Sequence, residues 1–168
     1  MDFHELVDGL ERSGALLAGA FEGVTDEAMR WKPAPERWSL LEILGHLCDE
    51  EAADFSVRLR LIVESPEADW PPIDPEGWVR ERQHNEGDPG ELVRRFRLAR
   101  AGNLLWLRGL DPAALETVHT HPRFGSMRAG DMFAAWCAHD LLHLAQVART
   151  NLDRVRKLGK PYDTGYAG

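Results

Sequence analysis

The sequence is poor in cysteine, with Cys48 and Cys137 the only two in 168 residues and no C-x-x-C spacing. Two such thiols cannot form a disulfide framework, and both are expected to be reduced. There is no long uncharged apolar run, which argues against a transmembrane helix. The opening stretch "MDFHELVDGLERSG" has neither the basic start nor the apolar segment of a secretory signal, and carries Asp2, Glu5, Asp8 and Glu11 instead. A cytoplasmic protein is expected. Positive charge is not in excess either. The formal net charge is -8, so a general affinity for phosphate backbones is not expected, and neither a nucleic acid nor a membrane is foreseen as a partner. Arg149, Arg154, Arg156, Lys157 and Lys160 make one late stretch locally basic, as suits the solvated end of a helix.

What is present is an ordinary globular composition, 43% apolar and 29% charged, at a length that suits one domain over residues 1–168, with 166–168 as a frayed tail. Residues 2–20 space Phe3, Leu6, Val7, Leu10, Leu16 and Leu17 at close to 3.6, which predicts an amphipathic helix. "KPAPERWS" breaks the helical pattern with Pro33 and Pro35. Ser39, with Glu42 three residues later, then forms a capping box that opens a second helix from Leu40 to about Val63. Residues 66–89 are rich in proline and acid and read as a long connection with one short helical turn near Trp78. Trp70 and Trp78 could line a pocket there. A third helix is predicted from Gly90 or Glu91 to Leu110. After a connection marked by Pro122 and Gly125, a fourth runs from Ala129 or Gly130 to about Val155. With no convincing strand periodicity, the expected fold is all-α, a four-helix bundle with a long connection between helices two and three.

The fourth helix carries "HDLLHLAQ". His139 and His143, four residues apart, direct their imidazoles to one side of a helix and could share an ion. With seven histidines in the chain, chance alone yields on the order of 0.3 such pairs, so the spacing by itself also fits two core histidines. A zincin reading fails because Asp140 is shorter than the glutamate of H-E-x-x-H and no histidine or glutamate follows His143. A ferritin-like di-iron site needs E-x-x-H on two long helices of the bundle, and the motif from Glu116 to His119 falls in a connection. A third ligand from another helix is the better solution, and "SLLEILGHLCDEE" offers His46 in the middle of helix two. Three protein ligands with one position left open is a common catalytic arrangement.

The same segments carry a resemblance. "WKPAPERWSLLEILGHLCDEE" at 31–51 resembles the Trp-Ser and His-Leu signature of the DinB-like family of metal-dependent helical proteins. "FGSMRAGDMFAAWCAHDLLHLAQV" at 124–147 is similar to that family's closing segment, a glycine turn followed by His-Asp-x-x-His-x-x-Gln. The resemblance implies a metal site of His46, His139 and His143, holding one divalent ion, with zinc or nickel foremost and iron after them.

Several neighbours invite a role. Asp140 lies about 100° around the helix from His139, and reads equally as an outer acceptor or acid/base group and as an interhelical carboxylate. Glu50, four residues after His46, could approach the ion, although the trio Asp49, Glu50 and Glu51 reads first as a solvated acidic turn. Gln146 could orient a ligand or substrate. Cys48 and Cys137 each stand two residues from a proposed ligand, which points them elsewhere, as structural thiols. His119 and His121 read as loop histidines with a conceivable place at the mouth of the site.

An ion held by three neutral imidazoles keeps its charge, so it can acidify a bound water or bind a thiol as thiolate. The resemblance implies either thiol S-transfer, with a low-molecular-weight thiol such as bacillithiol or mycothiol, or metal-assisted hydrolysis. Asp140, Glu50 and Gln146 are the candidates for catalytic or positioning roles, and Arg123 and Arg128 for holding a substrate carboxylate. The expected partners are a small thiol or its electrophile and, in a homodimer, a second copy of the chain. The competing class is a non-catalytic metal-binding stress-response dimer, whose site a fourth protein ligand would close.

Overall fold

The computed structural model describes residues 2–123 and 125–167. Its frame is four long helical stretches, as the periodicity predicts. Helix α1 (Phe3–Phe21) starts where the Asp2 side chain accepts from the Glu5 amide, and α2 (Asp26–Arg30) starts where Thr25 does the same for Ala28. The Ser39–Glu42 capping box is formed in both directions and opens α3 (Leu40–Ala53).

The expected helix from Leu40 to Val63 is two helices. It breaks at Asp54 and resumes as α4 (Phe55–Glu64). The cause is local: the Glu51 carbonyl, which would accept from the Phe55 amide in a continuous helix, accepts from Ser56 Oγ at 2.6 Å and Asn103 Nδ2 at 3.0 Å. The short turn expected near Trp78 is α5 (Pro75–Glu81), capped by Asp74. Helix α6 (Pro89–Arg108) begins on an Asp88 cap with Pro89 in its first turn, and α7 (Ala129–Leu158) runs for 30 residues. The expected tail at 166–168 includes a 3-10 turn over Gly165–Ala167, and Gly168 lies outside the described residues.

An unexpected element is an antiparallel hairpin, β1 (Val118–His121) and β2 (Gly125–Arg128), with His119 opposite Met127 and His121 opposite Gly125. Four-residue strands are too short for an alternating pattern to stand out, which is why this stretch reads as a connection.

Helix α1 packs against α6 and α7, α3 against α6, and α4 against α7. One apolar cluster gathers Leu17, Phe21, Ile43, Leu44, Leu47 and Phe96; a second gathers Phe3, Leu10, Leu59, Leu107, Phe133 and Trp136. Helix α3 is the central element, buried without interruption from Leu40 to Glu51. The acidic trio Asp49, Glu50 and Glu51 is therefore no solvated turn: at 1–3% exposure, each carboxyl has to be accommodated inside the protein. No helix among the described residues is long and apolar enough to cross a membrane.

Candidate metal centre

His46 comes from the middle of α3, and His139 and His143 from successive turns of α7. Although 93 and 97 residues separate His46 from its two partners, the three Nε2 atoms form a triangle with edges of 3.0, 3.1 and 3.4 Å. Nitrogen ligands at ~2.1 Å from a common ion lie ~3.4 Å apart on a tetrahedron and ~3.0 Å apart on an octahedral face. The observed edges span that range. Among the described residues no fourth His, Cys, Asp or Glu joins the group.

Protonation fits the same use. Burial, then the charge of His143 and His139 were they protonated, lowers the His46 pKa to about 3. Burial and His143 lower that of His139 to about 4, and burial lowers that of His143. All three imidazoles are thus neutral at pH 7, the form that ligates a metal. The tautomer of His143 is fixed from behind. Its Nδ1–H donates to Gln146 Oε1 at 2.7 Å, which leaves the Nε2 lone pair facing the centre. His46 Nδ1 lies 3.5 Å from Glu50 Oε1. Burial and the neighbouring Asp54 hold the Glu50 carboxyl well above the ordinary carboxylate range. Trp38 packs its ring 5.0 Å from that of His46, and Phe55, at the start of α4, packs 4.9 Å from His139.

The cluster opens on one side. A pocket of about 340 Å³ has His143 and Gln146 in its wall together with Glu36, Trp38, Glu76 and Thr150. Glu36 and Glu76 carry no signal in the sequence, because they reach the pocket from connections whose path only the fold reveals. Trp38 belongs to the quoted Trp-Ser signature.

The remaining candidates lie apart from the ligand triangle. Asp140 is engaged with Arg100, accepting at 2.7 and 2.9 Å, and also accepts from Ser13 Oγ, so its place is that of the interhelical carboxylate. Asp49 meets Arg82 at 2.6 Å, His84 at 2.7 Å and Arg95 at 3.3 Å, which anchors the long connection to α3. Arg128 pairs with Asp131 and Glu116 at the start of α7, about 16 Å along the helix axis from His139, so it is not at the mouth of the site. Arg123 and His121 line a different pocket that includes none of the three ligand histidines, and His119 is buried against Trp70. Cys48 and Cys137 are free, and burial raises both thiols to about 12, in keeping with structural roles.

A family model described as the DinB superfamily matches residues 9–147. The chain belongs to this family. The solved structure of YfiT from Bacillus subtilis, described as a probable metal-dependent hydrolase with an unusual four-helix bundle topology, superposes with a TM-score of 0.80 at 18% identity, over 94% of this chain and 87% of that one. No curated protein matches. As a DinB superfamily member the chain has the four-helix-bundle fold of YfiT, with the three-histidine group between α3 and α7.

Proposed function

We propose that this chain is a metal-dependent enzyme that activates a small nucleophile, and that the nucleophile is the sulfur of a low-molecular-weight thiol of the bacillithiol or mycothiol type. The observation that carries the reading is the triangle of neutral Nε2 atoms, with no fourth protein ligand among the described residues and His143 in the wall of a pocket. A bound divalent ion supplies Lewis acidity, which favours the deprotonated thiol at neutral pH. In the transfer a carbon–sulfur bond forms at the electrophile, the bond from that carbon to its leaving group breaks, and the thiol proton passes to solvent. Gln146 holds His143 in the ligating tautomer, and Glu50 stands beside His46 Nδ1 without a hydrogen bond to it. Asp140 positions α7 through Arg100 and does not touch the substrate. The polar wall formed by Glu36, Glu76, Gln146 and Thr150 suits a hydrophilic thiol.

Hydrolysis is the second reading, favoured by the shared fold with YfiT and its description as a probable metal-dependent hydrolase. One assay separates the two. Protein loaded with zinc or nickel is given an alkyl halide with a panel of small thiols, and in parallel a panel of esters and amides. The expected result is thiol consumption that chelation abolishes and that His143→Ala lacks. Ester or amide cleavage without thiol would establish hydrolysis instead, and no metal-dependent turnover of any kind would overturn both.

A further inference from the structure

We propose a second ligand site, separate from the imidazole cluster: a pocket for a small organic anion where α4, the long connection and the hairpin meet. This cavity of about 380 Å³ is lined by Arg58 of α4, by Trp70, Pro72 and Ile73 of the connection, and by His121 and Arg123 of the hairpin end. Two guanidinium groups and an imidazole line it and no carboxylate does, in a chain whose net charge is -8. The lining itself thus carries only basic ionisable groups, with Asp54 paired to Arg58 from behind.

The walls are held in place. Arg58 lies with its guanidinium carbon 4.8 Å from the centre of the Trp70 ring, and its Nε is 2.9 Å from Asp54 Oδ1. Its side chain is only 11% exposed, and Nε, although close to Asp54, has no hydrogen-bond partner among the described residues. One edge of the planar fork therefore faces Asp54, and the oxyanion is assigned to its two terminal amino groups. Trp70 is fixed in turn. It stacks on His119 with ring centres 4.6 Å apart and an interplanar angle of 15°, while His119 Nδ1–H donates to the Pro66 carbonyl at 2.6 Å. Trp70 Nε1 is a buried donor with no acceptor among the described residues. The opposite wall, Pro72 and Ile73, is apolar. A carboxylate or phosphate carried on a flat, apolar body matches this combination: the oxyanion faces the two arginines, and the body covers the indole and Ile73.

The inference rests on this pocket alone and stands whether or not the metal reading holds. The test titrates the full-length protein calorimetrically with benzoate and phenyl phosphate, and with benzamide and benzylamine as neutral and cationic counterparts. Both anions are expected to bind, more weakly as salt is added, and the tighter of the two identifies the preferred oxyanion. Arg58→Gln and Arg123→Gln should each weaken binding tenfold or more while leaving metal stoichiometry unchanged. Because Arg58 is partly buried, its variant is judged only if it unfolds cooperatively; the exposed Arg123 decides otherwise. Failure of both anions to bind, benzamide binding as tightly as benzoate, or unaltered affinity in Arg123→Gln would overturn the proposal. So would loss of anion binding in His143→Ala, which would assign the anion to the imidazole cluster.

Discussion

His139 and Asp140 are adjacent in the chain, yet α7 sends them into two regions built on opposite terms. On one face lie three neutral imidazoles whose Nε2 atoms converge on one another and on a pocket. On the other lies a buried polar network in which each acceptor oxygen has a donor. Asp140 accepts from Arg100 and Ser13, Glu51 Oε1 accepts from Arg100 and from Trp136 Nε1, and Glu51 Oε2 accepts from Asn103. Burial works against the charge on Arg100, but its hydrogen bonds to Asp140 and the charge of Glu51 outweigh it and hold the guanidinium above its ordinary pKa. Even the backbone yields to this network: a Cβ at Gly14 would stand 2.6 Å from Arg100 Nη1, so α1 presents bare main chain there. The acceptors of the network are satisfied from within, with Arg100 Nε left without an acceptor among the described residues, while the three Nε2 atoms of the cluster have only one another. Stability should therefore depend on the first, and ligand binding on the second.

The sharpest break in that comparison is at the histidines. His46→Ala, His139→Ala and His143→Ala should each abolish stoichiometric divalent-metal binding, measured by metal analysis after dialysis, while the metal-free variants still unfold cooperatively. Full occupancy in all three would rule out the site. Next in size is Arg100→Met, which leaves Asp140 and Glu51 buried without their shared cation. A loss of about 3–5 kcal/mol in denaturant unfolding is expected. A loss below 1 kcal/mol would show that the network is not a structural element.

Gln146→Leu should be smaller and of the other kind, with metal affinity down roughly 10–100-fold and little change in the stability of the metal-free protein. A further effect is that of pH on the metal-free protein. Burial lowers the pKa values of His46 and His139 to about 3 and 4, so below pH 6.5 the unfolded chain binds protons that the folded chain refuses. The stability these groups contribute is complete above pH 6.5 and declines as pH falls toward 4. A variant with all three histidines replaced by glutamine should show a flatter decline in urea unfolding between pH 7 and 5.

Much of this contrast can be read in the sequence, though unevenly. The helices and the Ser39–Glu42 box follow from spacing and punctuation, which are local properties, whereas the grouping of His46 with His139 and His143 comes from the family resemblance. The 100° offset of Asp140 from His139 already separates the two faces. Arg100 also leaves a trace, since Leu92, Phe96, Arg100, Asn103 and Leu107 fall on one helical stripe, and a charge on an otherwise apolar stripe signals a buried partner. The break at Asp54 leaves none. It depends on Asn103, 52 residues away, competing for the Glu51 carbonyl. The hairpin is too short to show its period, and the burial of the acidic trio follows from α3 being enclosed on every side, which composition does not reveal.

The separation of 97 residues between His46 and His143 has a consequence for folding. An ion seated between them closes a loop of more than half the chain, and so fastens α3 to the last long helix as a reversible cross-link. Closing so long a loop is entropically costly in an unfolded chain, so the ion is bound essentially by the folded form. By mass action, free metal at a hundred times its dissociation constant adds about 2.7 kcal/mol to the stability of that form. The supply of metal around the protein would then add to the stability that the Arg100 network supplies, and would act at the seam between α3 and α7.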